Sequence, residues 1–397
     1  MHPDWAEHVR RAWRVQHVLI LRTAIVWMAV AALVWLSYEF WRLIWQTGYW
    51  GAIDLRMLQR VVARWFSGQP VYGESTGVMY PPASFVIVWP LLGWLAFEPA
   101  RWLWAGTTIV ALAWLCVLVL HTSGATTRLE RVLIVVLPLS MYATGAAIGN
   151  GQSIVHILPA LIAGMAWLQR EKPSGRAELF AAGCILASLV KPTVSAPFFW
   201  IVLFATRRLR PACIIALGYA ALTVWALSFQ RISPRDIFTD WLRGSLPIAA
   251  ELGTANLSLA LAALGLKAWI LPGALVLLGV LGIWIWHYRD RDLWVLMGVT
   301  AIVARLWIYH WWFDDLLLLL PMMTLFRIAK RGATSNNSDV MAGILFALLL
   351  LFSLAPGGLY LFPAPFNAIY VAVQVTIWIA VLIFLSMHAR GETENTI

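Results

Sequence analysis

The sequence predicts an all-α polytopic membrane protein: a bundle of about twelve transmembrane helices with an amphipathic helix in its first outer loop. Three observations lead there. Hydrophobic residues make up 61% of the 397 positions and charged residues only 12%, where a soluble domain carries about a quarter charged residues. The 25 tryptophans suit a chain whose helix ends meet lipid headgroups. Apolar stretches long enough to span a bilayer, or nearly so, recur along the whole chain.

These stretches fall at 19–38, 101–121, 131–148, 152–168, 177–190, 193–206, 211–229, 268–287, 293–309, 315–327, 340–355 and 367–387. The shorter ones point to tilted spans or half-helices inside the bundle. A further run, 81–97, contains Pro90 and stops at Glu98-Pro99. Arg10, Arg11 and Arg14 before the first run, with Arg22 near its start, look like a signal peptide, but no small-residue cleavage site follows, so an uncleaved first span is expected.

The net charge of +10 sits in short loops between spans, which fits the positive-inside rule and not nucleic-acid binding. The basic clusters are 10–14, Gln169 to Arg176, Arg207 to Arg210, His287 to Arg291, Arg327 to Arg331 and His388 to Arg390. Placing all of them in the cytoplasm puts both termini inside and demands an even number of crossings. The run 81–97 is then re-entrant or lies along the outer leaflet. The loop 121–131 has only Arg128 and Arg131 to hold it inside. The expectation is one plasma-membrane (inner-membrane) domain, 1–397, with two long extracytoplasmic loops, 39–100 and 230–267. Cys116, Cys184 and Cys213 lie in or beside apolar stretches without metal-ligand spacing, and read as packing residues.

Polar residues in this apolar context are the functional candidates. In the first outer loop Leu55, Leu58, Val62, Trp65 and Phe66 share one helical side, and Arg56, Arg60 and Arg64 another. That pattern predicts an amphipathic helix on the outer membrane surface, ended by Gly68, with its arginines toward headgroups. Asp54 at its start either caps the helix or serves as a general base at the lipid–water boundary. The sequence Gly-Asn-Gly-Gln at 149–152 is either a glycine-rich turn with caps or a place where Asn150 and Gln152 hold sugar hydroxyls. Lys191, between two apolar stretches, must snorkel, pair or bind an anion. The helix begun by Pro192 would add its N-terminal end to an anion site.

In RLWIYHWWFDDLLLLLP, His310 is either incidental to an aromatic belt or a phosphate donor or proton carrier. Adjacent Asp314 and Asp315 cannot share a helix face, so at most one should point at His310. Arg305 is a candidate because of its depth. Asn256, with Ser258 in GTANLSLA, resembles a helix cap more than a ligand site. No Walker loop, dinucleotide-binding glycine fingerprint, HExxH or GxSxG is present.

Taken in order, these pieces resemble a known family. Asp54 precedes an amphipathic helix; a GxPVY turn (Gly68 to Tyr72) and Tyr80-Pro81-Pro82 follow; then come Gly151-Gln152, Lys191-Pro192, Asn256 with Ser258, and an aromatic-flanked His310 before LLLLLP. The set resembles the polyprenol-phosphate-mannose-dependent mannosyltransferases of glycosyltransferase family 87, which have the GT-C membrane fold, over about residues 20 to 330. The resemblance implies a sugar donor on a polyprenyl phosphate, approaching from the outer leaflet, and a glycolipid or glycan acceptor. Asp54 would take the acceptor proton, and the anomeric centre would invert. Lys191, His310 and Arg305 would stabilise the leaving phosphate, with substrate contacts at Tyr72, Tyr80, Asn150, Gln152 and Asn256. It implies no metal and no cofactor. A transporter or flippase would call for inverted repeats and charges at the midplane, whereas the polar candidates collect on one side. A non-catalytic subunit of envelope-glycan assembly would not need Asp54, Lys191 and His310 together.

Overall fold

The computed structural model describes residues 4–73, 77–170, 174–206, 208–251, 253–331 and 337–394. Most of the polar stretch that begins at Gly332, and Arg207 of one basic cluster, lie outside the described residues. The first helix, α1 (Asp4–Ile44), has 41 residues and no Gly or Pro to interrupt it. At 1.5 Å per residue it is about 60 Å long, well beyond the roughly 30 Å hydrocarbon core. There follow α2 (Ile53–Phe66), α3 (Pro82–Leu92), α4 (Phe97–Thr122), α5 (Arg128–Ser140), α6 (Tyr142–Asn150), α7 (Ile154–Leu168) and α8 (Gly175–Ser188). After the four-residue α9 (Pro192–Ser195), a 3-10 turn (Ala196–Phe198) and a π turn (Ile201–Ala205) lead into α10 (Leu209–Leu227). The second long loop holds α11 (Pro234–Glu251) and α12 (Leu257–Ala263). The rest is α13 (Ile270–His287), α14 (Leu293–Leu306), a 3-10 helix (Trp312–Leu318), α15 (Leu319–Lys330), α16 (Ser338–Ser353), the short α17 (Gly358–Leu361) and α18 (Phe366–Glu394).

Each of the expected apolar runs is helical. Five helices among the described residues are long and apolar enough to cross a membrane, or six if the bent pair α6 and α7 forms one span. The others are shorter, as expected of elements packed inside a bundle. Leu33 and Val34 of α1, Leu217 of α10 and Val276 and Ile283 of α13 face outward, exposed. In a membrane that apolar exterior is the surface lipid covers. The break between α5 and α6 at Met141 frees backbone groups, and Ala355 donates its N–H to the Ser140 carbonyl (2.9 Å) to close it.

Contacts sort the loops onto two ends. Arg10 at the start of α1 bonds Asp339 at the start of α16. Arg327 and Arg331 at the end of α15 reach Asp292, and Arg327 also reaches the Thr122 carbonyl. Lys330 pairs with Glu130 at 2.7 Å, which brings the sparsely charged 121–131 loop to this same end. At the opposite end Arg101 of α4 donates to the carbonyls of Leu43, Arg42 and Gln46, where α1 stops. The basic loops thus gather at one end and the two long loops at the other.

One expectation changes. The apolar side of α2 does not face lipid: Leu55, Leu58, Val61, Val62 and Trp65 are buried in protein. Trp65 packs on Phe85 of α3 and donates to the Ala226 carbonyl at the end of α10 (2.9 Å). Arg60 and Arg64 stay exposed. The 81–97 run yields only an 11-residue helix, about 16 Å long and too short to cross. Both of its flanks return to the α2 region: Tyr72 donates to the Tyr80 carbonyl (2.7 Å) and Gln59 to the Leu95 carbonyl (2.7 Å).

The positive-inside rule expects the basic end in the cytoplasm. In a background without the three native cysteines, a membrane-impermeant maleimide should label Gly48→Cys on intact cells. It should reach Arg176→Cys only after permeabilisation; the reverse pattern would invert the topology.

Candidate active site

The turn between α6 and α7 brings three helices together. Gly149 lies against the Glu39–Arg42 pair of α1, which is bonded at 2.6 Å with Glu39 fully buried. A Cβ on Gly149 would stand 1.8 Å from the Glu39 carboxylate. Asn150 accepts a hydrogen bond from Arg42. Gly151 takes a left-handed conformation (φ 75°) that turns the chain out of α6, and it presses on Leu55 so closely that no side chain fits. Ala52 donates its N–H to the Gly149 carbonyl (3.1 Å), so the start of α2 hangs on this turn.

Asp54 therefore sits in the first turn of α2 beside Gln152. The residue in the capping position is Ala52, and no side chain caps the helix, so the cap reading of Asp54 fails. Burial raises the Asp54 carboxyl above its ordinary value, with Asp314 adding to the rise, while Gln152, Lys191 and Arg42 favour the ionised form. The Tyr80 and Tyr309 hydroxyls are close enough to Asp54 and Asp314 to feel both charges.

Lys191 stands where α8 gives way to α9. Its ammonium group bonds both oxygens of Asp314, at 2.7 and 2.9 Å, and lies 4.8 Å from the Phe313 ring centre. The expected helix N-terminus beside it is weak, because α9 is a single turn that passes into 3-10 and π turns. His310 is fully buried and its Nδ1 is 3.0 Å from Asp314. Burial pushes the imidazole down, so His310 is neutral at pH 7. Nδ1 then carries the proton toward Asp314, and the buried Nε2 has no protein partner.

The neighbouring carboxylate points elsewhere. Asp315 pairs with Arg305 and accepts from the Tyr142 hydroxyl. Arg305 also donates to the carbonyl (2.9 Å) and hydroxyl (2.9 Å) of Thr254, pinning the second long loop. Its ring neighbour is Trp378 of α18.

A cleft of about 770 Å³ opens at this end, between the two long loops and the helix ends. Asp54, Tyr80, Asn150, Gln152 and Lys191 line it. His310 stands behind the wall made by Tyr309, Trp311 and Phe313. Besides His310, three predicted residues do not reach the cleft. Arg305, expected as a phosphate ligand, is fully buried and committed to Asp315 and Thr254. Tyr72 turns its hydroxyl to the Tyr80 carbonyl and packs edge-on against Trp65. Asn256 caps α12 by accepting from the Leu259 N–H (3.0 Å). Sequence reasoning missed Arg42, which lines the cleft. Its spacing from Tyr38 and Gln46, at i±4, was the available signal.

Helical integral membrane proteins with a largely apolar cleft that holds a few polar side chains form the class to which this chain belongs. Its family follows from comparison: a model of glycosyltransferase family 87 matches residues 78–309. The match takes in more than half of the chain, and the chain belongs to that family, a family of glycosyltransferases. Tyr80, Asn150, Gln152 and Lys191 fall inside the matched stretch, Asp54 lies before it, and His310 follows its last residue. No curated protein and no solved structure matches the chain.

Two substitutions test the supports. Gly149→Ala should lower stability by about 1–3 kcal/mol, the ordinary cost of overpacking. Arg305→Gln leaves Asp315 buried without its partner and should cost about 3–5 kcal/mol. Both should read as lower thermal midpoints in detergent, with the second the larger.

Proposed function

We propose that this glycosyltransferase moves a sugar, mannose above others, from a polyprenyl-phosphate donor to a hydroxyl of a glycolipid or glycan. The reaction takes place on the extracytoplasmic face of the plasma membrane, on a GT-C-type bundle of about twelve crossings, and inverts the anomeric carbon. One arrangement carries this conclusion: the Asp54 carboxylate and the Lys191 ammonium stand on the walls of the same cleft.

The chemistry divides between them. Asp54 accepts the proton of the acceptor hydroxyl as its oxygen attacks the anomeric carbon. The bond from that carbon to the phosphate oxygen breaks, and its electron pair leaves with the phosphate. Lys191 faces the charge that develops there, in surroundings drier than bulk water where a fixed cation acts most strongly. Base and leaving group on opposite faces of the sugar account for inversion. His310 acts through Asp314, holding the carboxylate that orients Lys191. Asp314 already pairs with Lys191, so the phosphate shares the ammonium group with a resident carboxylate. Tyr80 and Gln152 flank Asp54 and contact substrate.

The test is transfer by the protein in nanodiscs from polyprenyl-phosphate mannose to a panel of lipid-linked glycans. Asp54→Asn should lower kcat about 10²–10⁴-fold, the usual worth of a general base, with donor binding retained. Equal rates for wild type and variant would remove Asp54 from the reaction. The pH profile carries a second expectation. A base must be ionised, and burial raises this carboxyl. Activity should therefore fall as the pH drops through the raised value, with an acid limb above the ordinary aspartate pKa of about 4.

A further inference from the structure

The two ends of the cleft differ in chemistry. Beside Lys191 the wall is aromatic, with the Phe313 ring centre 4.8 Å from its ammonium group, and the cleft also takes in Leu271 and Leu275 of α13, both exposed. Near Arg42 it is aromatic and amide-lined. Tyr38, Arg42 and Gln46 follow one another at helical spacing along the end of α1 and its exit, and all three line the cleft. Trp50, Trp312 and Tyr360 complete this end. Tyr360 packs edge-on against Trp312, with ring centres 6.3 Å apart. Arg42 ties the group together by donating to the Trp50 carbonyl (3.2 Å) and to Asn150. Asp54 stands between the two ends, close enough to both Lys191 and Arg42 to feel each charge.

Two features say what this aromatic end holds. The Arg42 charge is already paired, with the buried Glu39 carboxylate bonded to it at 2.6 Å. An anion would have to compete with Glu39, whereas a neutral hydroxyl would not. Gln46 Oε1 and Arg42 Nε are buried without a protein partner, an acceptor and a donor left for some other group. Exposed aromatic faces around neutral hydrogen-bonding groups match a pyranose ring, whose C–H faces pack on aromatics while its hydroxyls bond amides.

We propose that this end of the cleft is the acceptor subsite and that it takes an uncharged glycosyl residue. Tyr38, Trp50 and Tyr360 frame its ring, and Gln46, Asn150 and Arg42 bind its hydroxyls. The inference rests on the transferase reading above. The donor enters at the Lys191 end. The acceptor oxygen bonds to the anomeric carbon from the Arg42 side, its proton passes to Asp54, and the phosphate departs on the Lys191 side with the electron pair of the broken bond. Charged sugars are discriminated against by Glu39, which repels a carboxylate or phosphate brought up to Arg42.

The test uses the full chain in nanodiscs and saturation-transfer NMR with two soluble probes: methyl α-mannopyranoside, which is neutral, and the methyl glycoside of glucuronic acid, which is charged. Gln46→Ala and Trp50→Ala are the variants, both outside the Glu39–Arg42 pair, with Trp50 65% exposed. The neutral probe should give a signal with the wild type that falls at least about fivefold in either variant, and the charged probe should give none. In turnover, the same variants should raise the acceptor KM about tenfold, with the donor KM within about twofold. No neutral-probe signal from the wild type, undiminished signals in both variants, or equal binding of the charged probe would each overturn the subsite. Binding without turnover of any lipid-phosphate sugar would overturn the transferase reading and the acceptor role with it.

Discussion

Two carboxylates adjacent in sequence and both buried organise the cleft end of this bundle. Away from water a carboxylate needs a cation and donors of its own, and neighbours on a tight helix cannot share them. Asp314 takes Lys191 and His310, from α8–α9 and from its own loop. Asp315 takes Arg305 and Tyr142, from α14 and α6, and through Arg305 the Thr254 backbone. Four separated parts of the chain are thereby drawn to one 3-10 turn. That the turn is 3-10 and not α matters: tighter winding sets successive side chains about 120° apart. Asp314 can then serve the cleft while Asp315 serves the interior.

A second junction mirrors the first across the cleft. The Glu39–Arg42 pair of α1 meets Gly149 and Asn150, and the same turn carries Gln152 to Asp54. The cleft thus lies between two neutralised ion pairs, Glu39–Arg42 and Asp314–Lys191, with the Asp54 carboxylate unmatched between them. The resting site is short of positive charge. A carboxylate in such surroundings keeps its affinity for a proton, which suits the base role proposed for Asp54.

The helices were legible because lipid enforces a simple rule: long apolar runs are helical, since only helices and closed barrels satisfy the backbone there. The break at Met141 was not legible, because a distant residue, Ala355, holds it. The side α2 buries was read correctly as a pattern and wrongly as a destination: periodicity names an apolar face but does not say whether lipid or protein covers it. Asp54, Gln152 and Lys191 stood out as polar residues in apolar company. Arg42 and Glu39 did not, because charges at the end of a span usually mean a headgroup boundary. Arg305 misled for a related reason. Depth marks a charge as important, but whether it meets a ligand or a structural partner depends on Thr254, 51 residues away in sequence.

The length of α1 has a mechanical side. Its start is fastened to Asp339, and Glu39 and Arg42 near its far end are fastened to the α6 turn. A rod with neither Gly nor Pro has no kink at which to bend, so a mismatch between its length and the bilayer is taken up by leaning. Arg42 and the start of α2 hang on the same α6 turn, so a lean of the rod carries that turn with it. The single rod thus joins the Asp339 fastening at one end of the bundle to the turn that carries the cleft at the other.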